Sequence, residues 1–320
     1  MKMVIKRKLI LIITIIFTLL VSTLAGCSSK KEEKPRETSK QASAEKTATE
    51  EKKYGNVKAF IWEIKKDKAT VYLFGSMHAC KADLYPFEKT VEEAFNSSNN
   101  LVVEALFSNN KQANDNQSKS MYAENDDVYN HISKEEKEKL DAYAKELGIN
   151  MEVLKKMKLN IITSAIGAAQ LEKSGYFLAN GVDTYFQNKA KNKKKILELE
   201  SAEFQINLMG SISEEEQKNV FFSNIKDLKQ TESETNKTYE AYKAGDEKEM
   251  VKLCLDPIKQ YDNYYKKMFV DRNIGMAEKI DGYLKTNNSY FVVAGIGHFI
   301  GDDSVVKLLE KKGHVIKRLK

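Results

Sequence analysis

The sequence predicts an α/β protein: a central mixed β-sheet with flanking helices and a helical cap, built by one domain from Tyr54 to Lys320. Three observations carry this. Short apolar runs rich in β-branched and aromatic residues stand near both ends of this body, at 59–64, 70–74 and 290–294. Two further strand-like runs, at 101–103 and 195–199, alternate with helices, the pattern that folds into one sheet rather than two domains. The middle of the chain reads mostly as amphipathic helix, which places a cap over that sheet.

Taken in order, Ala59 to Ile64 and Thr70 to Phe74 flank the polar turn Lys65-Lys66-Asp67-Lys68, a hairpin signal. The second run leads into Gly75-Ser76-Met77-His78. A helix is expected from about Pro86, with proline in its first turn and Val91, Ala94 and Phe95 at helical spacing. Leu101-Val102-Val103 is a buried strand ending in Glu104, and the Asn- and Gln-rich stretch from Ser108 to Asp127 reads as an excursion. Ser133-x-x-Glu136 is a capping box for a helix closed near Gly148. Met151 to Lys173 supplies one or two helices and Gly181-Val182-Asp183 opens another. Lys195 to Leu199 is a strand ending in Glu200. From the capping box Ser213-x-x-Glu216 the helical pattern continues to about Leu284, broken at Gly245-Asp246. The strand Tyr290 to Ala294, the turn Gly295-Ile296-Gly297-His298, a helix from about Asp302 to Lys312 and a strand His314 to Leu319 complete the chain.

Ahead of this body, Lys2 to Lys8 is basic, Leu9 to Leu20 is almost wholly apolar, and Leu24-Ala25-Gly26-Cys27 follows. These are the parts of a secretory signal at residues 1–26, closing on what resembles a bacterial lipobox, in which the Cys27 thiol is acylated and becomes the new N-terminus. The apolar run is shorter than the roughly 20 residues that span a bilayer, although counting through Ala25 approaches that length, and an uncleaved anchor is the alternative. Either reading puts the body on the extracytoplasmic face of a membrane. Residues 28–53 lack aromatic and branched aliphatic side chains and read as a disordered tether, about 28 Å root-mean-square if flexible. Cys80 and Cys254, the other two cysteines, are expected to be unrelated, partly buried thiols.

The chain carries 52 Lys and Arg against 46 Asp and Glu, a net charge of +6, and all of that excess lies before Tyr54. A neutral body has no counterion-releasing surface, so nucleic acid is excluded as a partner.

Of the four histidines, His78 and His298 share one context, a β-rich run followed by Gly-x-x-His. Ligands of open α/β sheets bind at the carboxyl ends of strands. Both imidazoles belong at that edge, as do Glu104 and Glu200. Imidazole with carboxylate suits Zn²⁺, Mn²⁺ or Co²⁺, and the coincidence of four strand ends, not any one of them, points to a divalent metal site. His131, before a helix cap, and His314, in the terminal strand, read as ordinary hydrogen-bonded residues. No His-Glu-x-x-His and no Gly-x-x-x-x-Gly-Lys-[Ser/Thr] occurs. Gly295-x-Gly297-x-x-x-Gly301 lies too near the chain end to serve a dinucleotide.

Gly75-Ser76-Met77-His78 with Leu84-Tyr85-Pro86, Val102-Val103-Glu104, Gly181-Val182-Asp183, Leu199-Glu200-Ser201-Ala202-Glu203-Phe204-Gln205, Asp271-Arg272-Asn273, Ala294-Gly295-Ile296-Gly297-His298 and Lys312-Gly313-His314-Val315 together resemble the TraB/PrgY/GumN family in order and spacing. Ser76 stands where the first motif often has threonine. That family includes the animal Tiki proteins, membrane-tethered metal-dependent proteases that need paired Gly-x-x-His motifs and a glutamate. It also includes bacterial pheromone-shutdown proteins. The resemblance implies a fold similar to erythromycin-esterase and ChaN-like proteins. It implies His78 and His298 as metal ligands, with Glu104 and Glu200 as the acidic residues.

The expected activity is that of a membrane-tethered, metal-dependent peptidase acting on a peptide or protein substrate. One glutamate joins the histidines on the ion, the other acts as general base, and Arg272 stabilises the oxyanion. The alternative is a non-catalytic binder that sequesters a signalling peptide in the same crevice. A third reading is a hydrolase for a non-peptide ester.

Overall fold

The computed structural model describes residues 54–58, 60–106, 120–225 and 227–319. The signal segment, Cys27, the tether and most of the Ser108 to Asp127 excursion lie outside the described residues. Among the described residues, six strands form one mixed sheet: β1 (Ile61–Lys66), β2 (Ala69–Ser76), β3 (Asn100–Val103), β4 (Lys195–Glu198), β5 (Ser289–Gly295) and β6 (Ile316–Arg318). Their order is β4-β3-β5-β2-β1-β6. The hairpin β1–β2 is antiparallel and turns at Asp67, which has positive φ, as Asp tolerates better than most residues. β2, β5, β3 and β4 run parallel, so their carboxyl ends share one edge.

That edge is drawn tighter than the strands alone require. Ser76 pairs with Gly295 and Val103 with both Val293 and Glu198. Beyond β3 and β4 the ladder continues, because Leu199 N–H donates to the Val103 carbonyl and Glu200 N–H to the Glu104 carbonyl, both at 2.8 Å. Glu104 and Glu200 thus leave the sheet side by side.

Helices α1 (Lys89–Ser97) and α4 (Val182–Ala190) cover the sheet through an aromatic core of Phe74, Phe87, Phe95, Phe186 and Phe291, with ring centroids such as Phe186–Phe291 at 4.8 Å. α1 starts at Lys89, not at Pro86; the peptide before Pro86 is cis and the chain turns there before the helix begins. α2 (Lys134–Leu147) opens on the expected capping box and closes on Gly148 at φ 77°. With α3 (Leu159–Lys173) and α6 (Glu214–Phe222) it buries a separate cluster including Leu140, Ile162, Ile166 and Phe221. This helical region, with a core of its own, corresponds to the expected cap. α5 (Ala202–Gly210) lies between α4 and α6 in the chain, and α7 (Leu228–Ala244) ends at Gly245. From Glu247 to Val270 the helix is interrupted by two π-helical turns, Val251–Leu255 and Lys266–Val270, before α8 (Asp271–Tyr283) and α9 (Val305–Lys311). His314 precedes β6, which is shorter than the expected strand. Among the described residues, no helix is long and apolar enough to cross a membrane.

Candidate metal centre

His78 lies two residues past β2 and His298 three past β5, on the turn Ile296–His298. The loop carrying His78 is fixed by backbone: Met77 C=O accepts from Val182 N–H at 3.0 Å. The approach needs glycine at 181, since a Cβ there would lie 2.2 Å from the His78 carbonyl oxygen. Asp183 is thereby delivered to the histidine. Its carboxylate accepts from His78 Nδ1 at 2.7 Å and from the Ser76 hydroxyl at 3.0 and 3.2 Å. An ionised carboxylate only accepts, so Nδ1 carries the proton and Nε2 faces the other way.

His298 is set by a different residue with the same result. Asn273, on α8, donates through Nδ2 to the Asp303 carbonyl at 2.8 Å, which orients its amide. Asn273 Oδ1 then accepts from His298 Nδ1 at 2.6 Å. The two Nε2 atoms converge. Each is 4.0 Å from Glu104 Oε2, and both are buried without a hydrogen-bond partner among the described residues. Buried polar atoms are nearly always satisfied, so two orphans aimed at one carboxylate oxygen call for an explanation.

Glu104 is held by its other contacts. Gly295 N–H donates to Oε2 at 3.1 Å, while Gln205 Nε2, at 3.1 Å, and the Arg272 guanidinium take Oε1. Arg272, on α8, spends the rest of its donors on Glu200 (Nε at 3.0 and 3.1 Å, Nη2 at 2.7 Å) and on the Met268 carbonyl. Glu200 also accepts from Gln205 at 2.9 Å. The structure therefore brings together the five residues predicted to bind metal or take part in catalysis, but in two groups: His78, His298 and Glu104 face one another, whereas Glu200 and Arg272 stand behind Glu104.

Charges follow from this packing. Burial works against ionising Glu104, yet Arg272, His298, His78 and the Gly295 N–H hold its pKa well below the usual carboxylate range. Burial also opposes a charge on Arg272, but Glu104 and Glu200 raise its pKa further. Burial disfavours a charged His78; Asp183 and Glu104 outweigh it and push its pKa up to about 9. Burial, Arg272 and His78 push His298 down to about 3, so this ring stays neutral with a lone pair on Nε2.

These side chains suit a divalent cation by chemistry: two imidazole Nε2 atoms, one ionised carboxylate oxygen, and an outer shell that fixes each ring. Gly295 leaves the space open, because a Cβ there would lie 3.1 Å from His78 Nε2 and 3.6 Å from Glu104 Oε2. The set is looser than a finished cage. Ligands sharing one ion at about 2.1 Å sit roughly 3–3.5 Å apart, and the 4.0 Å separations exceed that. Among the described residues, no group of three or more His, Cys, Asp or Glu is already drawn to metal-holding spacing.

Residues 60–318 match the description TraB/PrgY/gumN family. The chain belongs to that family. No curated protein and no solved structure matches the chain. Asp183, Asn273 and Gln205 all lie in segments that carry the family resemblance, yet sequence gives none of them a role: His78 and His298 are 105 and 25 residues from Asp183 and Asn273, and Gln205 bridges Glu200, five residues away, to Glu104, 101 away. Cys80 and Cys254 are free, as expected, and buried.

Proposed function

We propose that this family member is a metal-dependent peptidase tethered to the extracytoplasmic face of a membrane through acylated Cys27. The observation that supports the reading is the pair of partnerless Nε2 atoms, each facing Glu104 Oε2 at 4.0 Å. His78, His298 and Glu104 would hold the cation, with Zn²⁺, Mn²⁺ and Co²⁺ the ions that this donor set suits. A bound ion would supply Lewis-acid polarisation of a peptide carbonyl and a water acidic enough to attack it near neutral pH.

The chain's own residues have separable tasks. Asp183 and Asn273 fix the two rings with Nε2 facing inward, removing the freedom a cation would otherwise have to suppress. Arg272 keeps Glu104 ionised and aimed. A carboxylate with so depressed a pKa is a weak base and a good ligand, which assigns Glu104 to the ion rather than to proton transfer. Glu200, with both oxygens on Arg272 and Gln205, acts as the guanidinium's anchor in place of the general base expected from sequence. Arg272, with Nε and Nη2 on the two carboxylates and Nη1 on the Met268 carbonyl, likewise positions Glu104 instead of reaching an oxyanion.

The test is metal content together with peptide cleavage, for the parent chain and for a His78→Ala/His298→Ala double variant. We expect about one ion per parent chain and cleavage that the double variant loses while remaining folded. Equal metal content in the two proteins would overturn the site. Metal binding with peptide recovered whole after long incubation would instead identify a sequestering module. Membrane attachment is tested separately by Cys27→Ser, which should move the protein from the membrane fraction to the soluble one.

A further inference from the structure

A cavity opens beside the two histidines. His78 and His298 form one side of it. Met77, Met250, Cys254, Ile258, Phe269 and Ile296 supply most of the remainder. The other polar side chains on the wall have partners already: Ser76 donates to Asp183, and the Thr238 hydroxyl donates to the Glu234 carbonyl at 3.1 Å. Among the described residues, no Lys, Arg, Asp or Glu lines it. Apart from the two Nε2 atoms, the side chains of the wall therefore offer a guest nothing but apolar contact.

The two π-helical turns build this wall. Cys254 lies in Val251–Leu255 and Phe269 in Lys266–Val270, and Met250 and Ile258 adjoin the first. A π turn inserts one extra residue per turn, re-aims the side chains that follow, and recurs at functional sites. Here it coincides with the cavity, and the Phe269 ring lies against the His298 ring at 5.4 Å.

We propose that this cavity is a specificity pocket that receives one apolar side chain of a peptide, next to the bond held at the histidines. The inference rests on the peptidase reading for what happens to that bond, and on the cavity alone for which peptide binds. A lysine or glutamate side chain entering the same space would lose its hydration with no partner to replace it. A peptide with leucine, phenylalanine or methionine at one position should therefore bind tighter than its Ala or Lys counterpart. A difference of a few methylenes in an apolar pocket gives about 10- to 200-fold.

The test uses the full chain and blocked peptides with a single Leu, Ala or Lys in a Gly/Ser background. Binding is followed by calorimetry with and without Mn²⁺, and cleavage by mass spectrometry. The Leu peptide should bind at least about tenfold tighter, and Cys254→Met, which narrows the cavity, should erase most of that preference. A second readout needs no mutation. Calorimetry at several temperatures should give a more negative heat-capacity change for the Leu peptide than for its Ala counterpart, the mark of apolar surface buried on binding. Selective binding without cleavage would keep the pocket and remove the peptidase. Cleavage indifferent to the side chain, or equal heat-capacity changes for the Leu and Ala peptides, would keep the peptidase and remove the pocket. Binding of none of the peptides overturns the pocket outright.

Discussion

His131 and the pair His78–His298 are the same side chain in opposite surroundings. His131 sits beside the helical region, stacked on Tyr122 at 4.3 Å, with Nδ1 on Glu214 at 2.9 Å and Nε2 on Asp126 at 2.8 Å. Both ring nitrogens are used and nothing remains to bind. At the sheet edge each ring uses Nδ1 alone and keeps Nε2 bare in a buried place. Burial makes that bareness costly, by about 1–3 kcal/mol per unsatisfied group. Histidine position along the chain does not separate the two cases; what each second nitrogen meets does.

The sharpest way to break the contrast is to remove the charge behind it. Arg272 is buried between Glu104 and Glu200. Arg272→Met would strand two carboxylates, and losing one member of such a cluster costs about 3–5 kcal/mol. Urea unfolding should show a loss of that order, against a small effect for His131→Ala, whose partners Asp126 and Glu214 are half-buried and exposed. A loss below about 1 kcal/mol would mean that the cluster does not hold Glu104.

Next in size are changes that spare the ligands themselves. Asp183→Asn weakens the orientation of His78, and outer-shell substitutions of this kind lower metal affinity about 10–100-fold. Gly295→Ala puts a methyl 3.1 Å from His78 Nε2 and should reduce affinity at least about tenfold. Its backbone conformation, φ −49° and ψ 133°, is open to alanine, so the fold should survive. Affinity unchanged in both variants, measured by competition with a chelating dye, would place any ion elsewhere.

Titration separates the rings further. In the metal-free protein His78 is raised to about 9 and His298 is lowered to about 3. A raised pKa means the folded state binds the proton more tightly: the His78 contribution to stability is complete below pH of about 6.5 and is lost as pH rises through about 9. The depressed His298 runs the other way: its contribution is present above about 6.5 and is lost as pH falls toward 3. Stability of the metal-free chain should thus decline from both of these groups on opposite sides of neutrality. Because His78 must shed its proton to ligate, cation binding near pH 7.5 should release about one proton. Calorimetry in buffers of different ionisation enthalpy counts it, and zero protons released would contradict the assigned charge of His78.

Much of this arrangement could be read from the sequence, for a physical reason. Buried parallel strands are short apolar runs, and whatever follows their carboxyl ends shares one edge, so His78, His298, Glu104 and Glu200 could be placed before any contact was known. Sequence could not divide the two glutamates, because Glu104 and Glu200 follow similar strands and differ only in which of them Gly295 N–H and the imidazoles face. Nor could it find the π turns. An added residue per turn leaves the apolar spacing of Leu253, Cys254, Met268 and Phe269 looking like ordinary helix. Asp183 begins a helix, where an acidic residue is unremarkable, and only its 2.7 Å contact with His78 gives it a task.

The smallest expected effect is the control on which the comparison depends. His131→Ala removes contacts to Asp126 and Glu214 that lie at the surface, where such pairs contribute little. Its melting temperature should fall by no more than about 2–4 °C, the shift that 1 kcal/mol gives in a domain of 150–250 residues. Metal content should not change. If His131→Ala depleted the ion as His78→Ala is expected to, a nitrogen already engaged by a carboxylate would be serving as a ligand. The argument from bare Nε2 atoms would then fail, because engagement of the second nitrogen would no longer distinguish a binding histidine from a structural one.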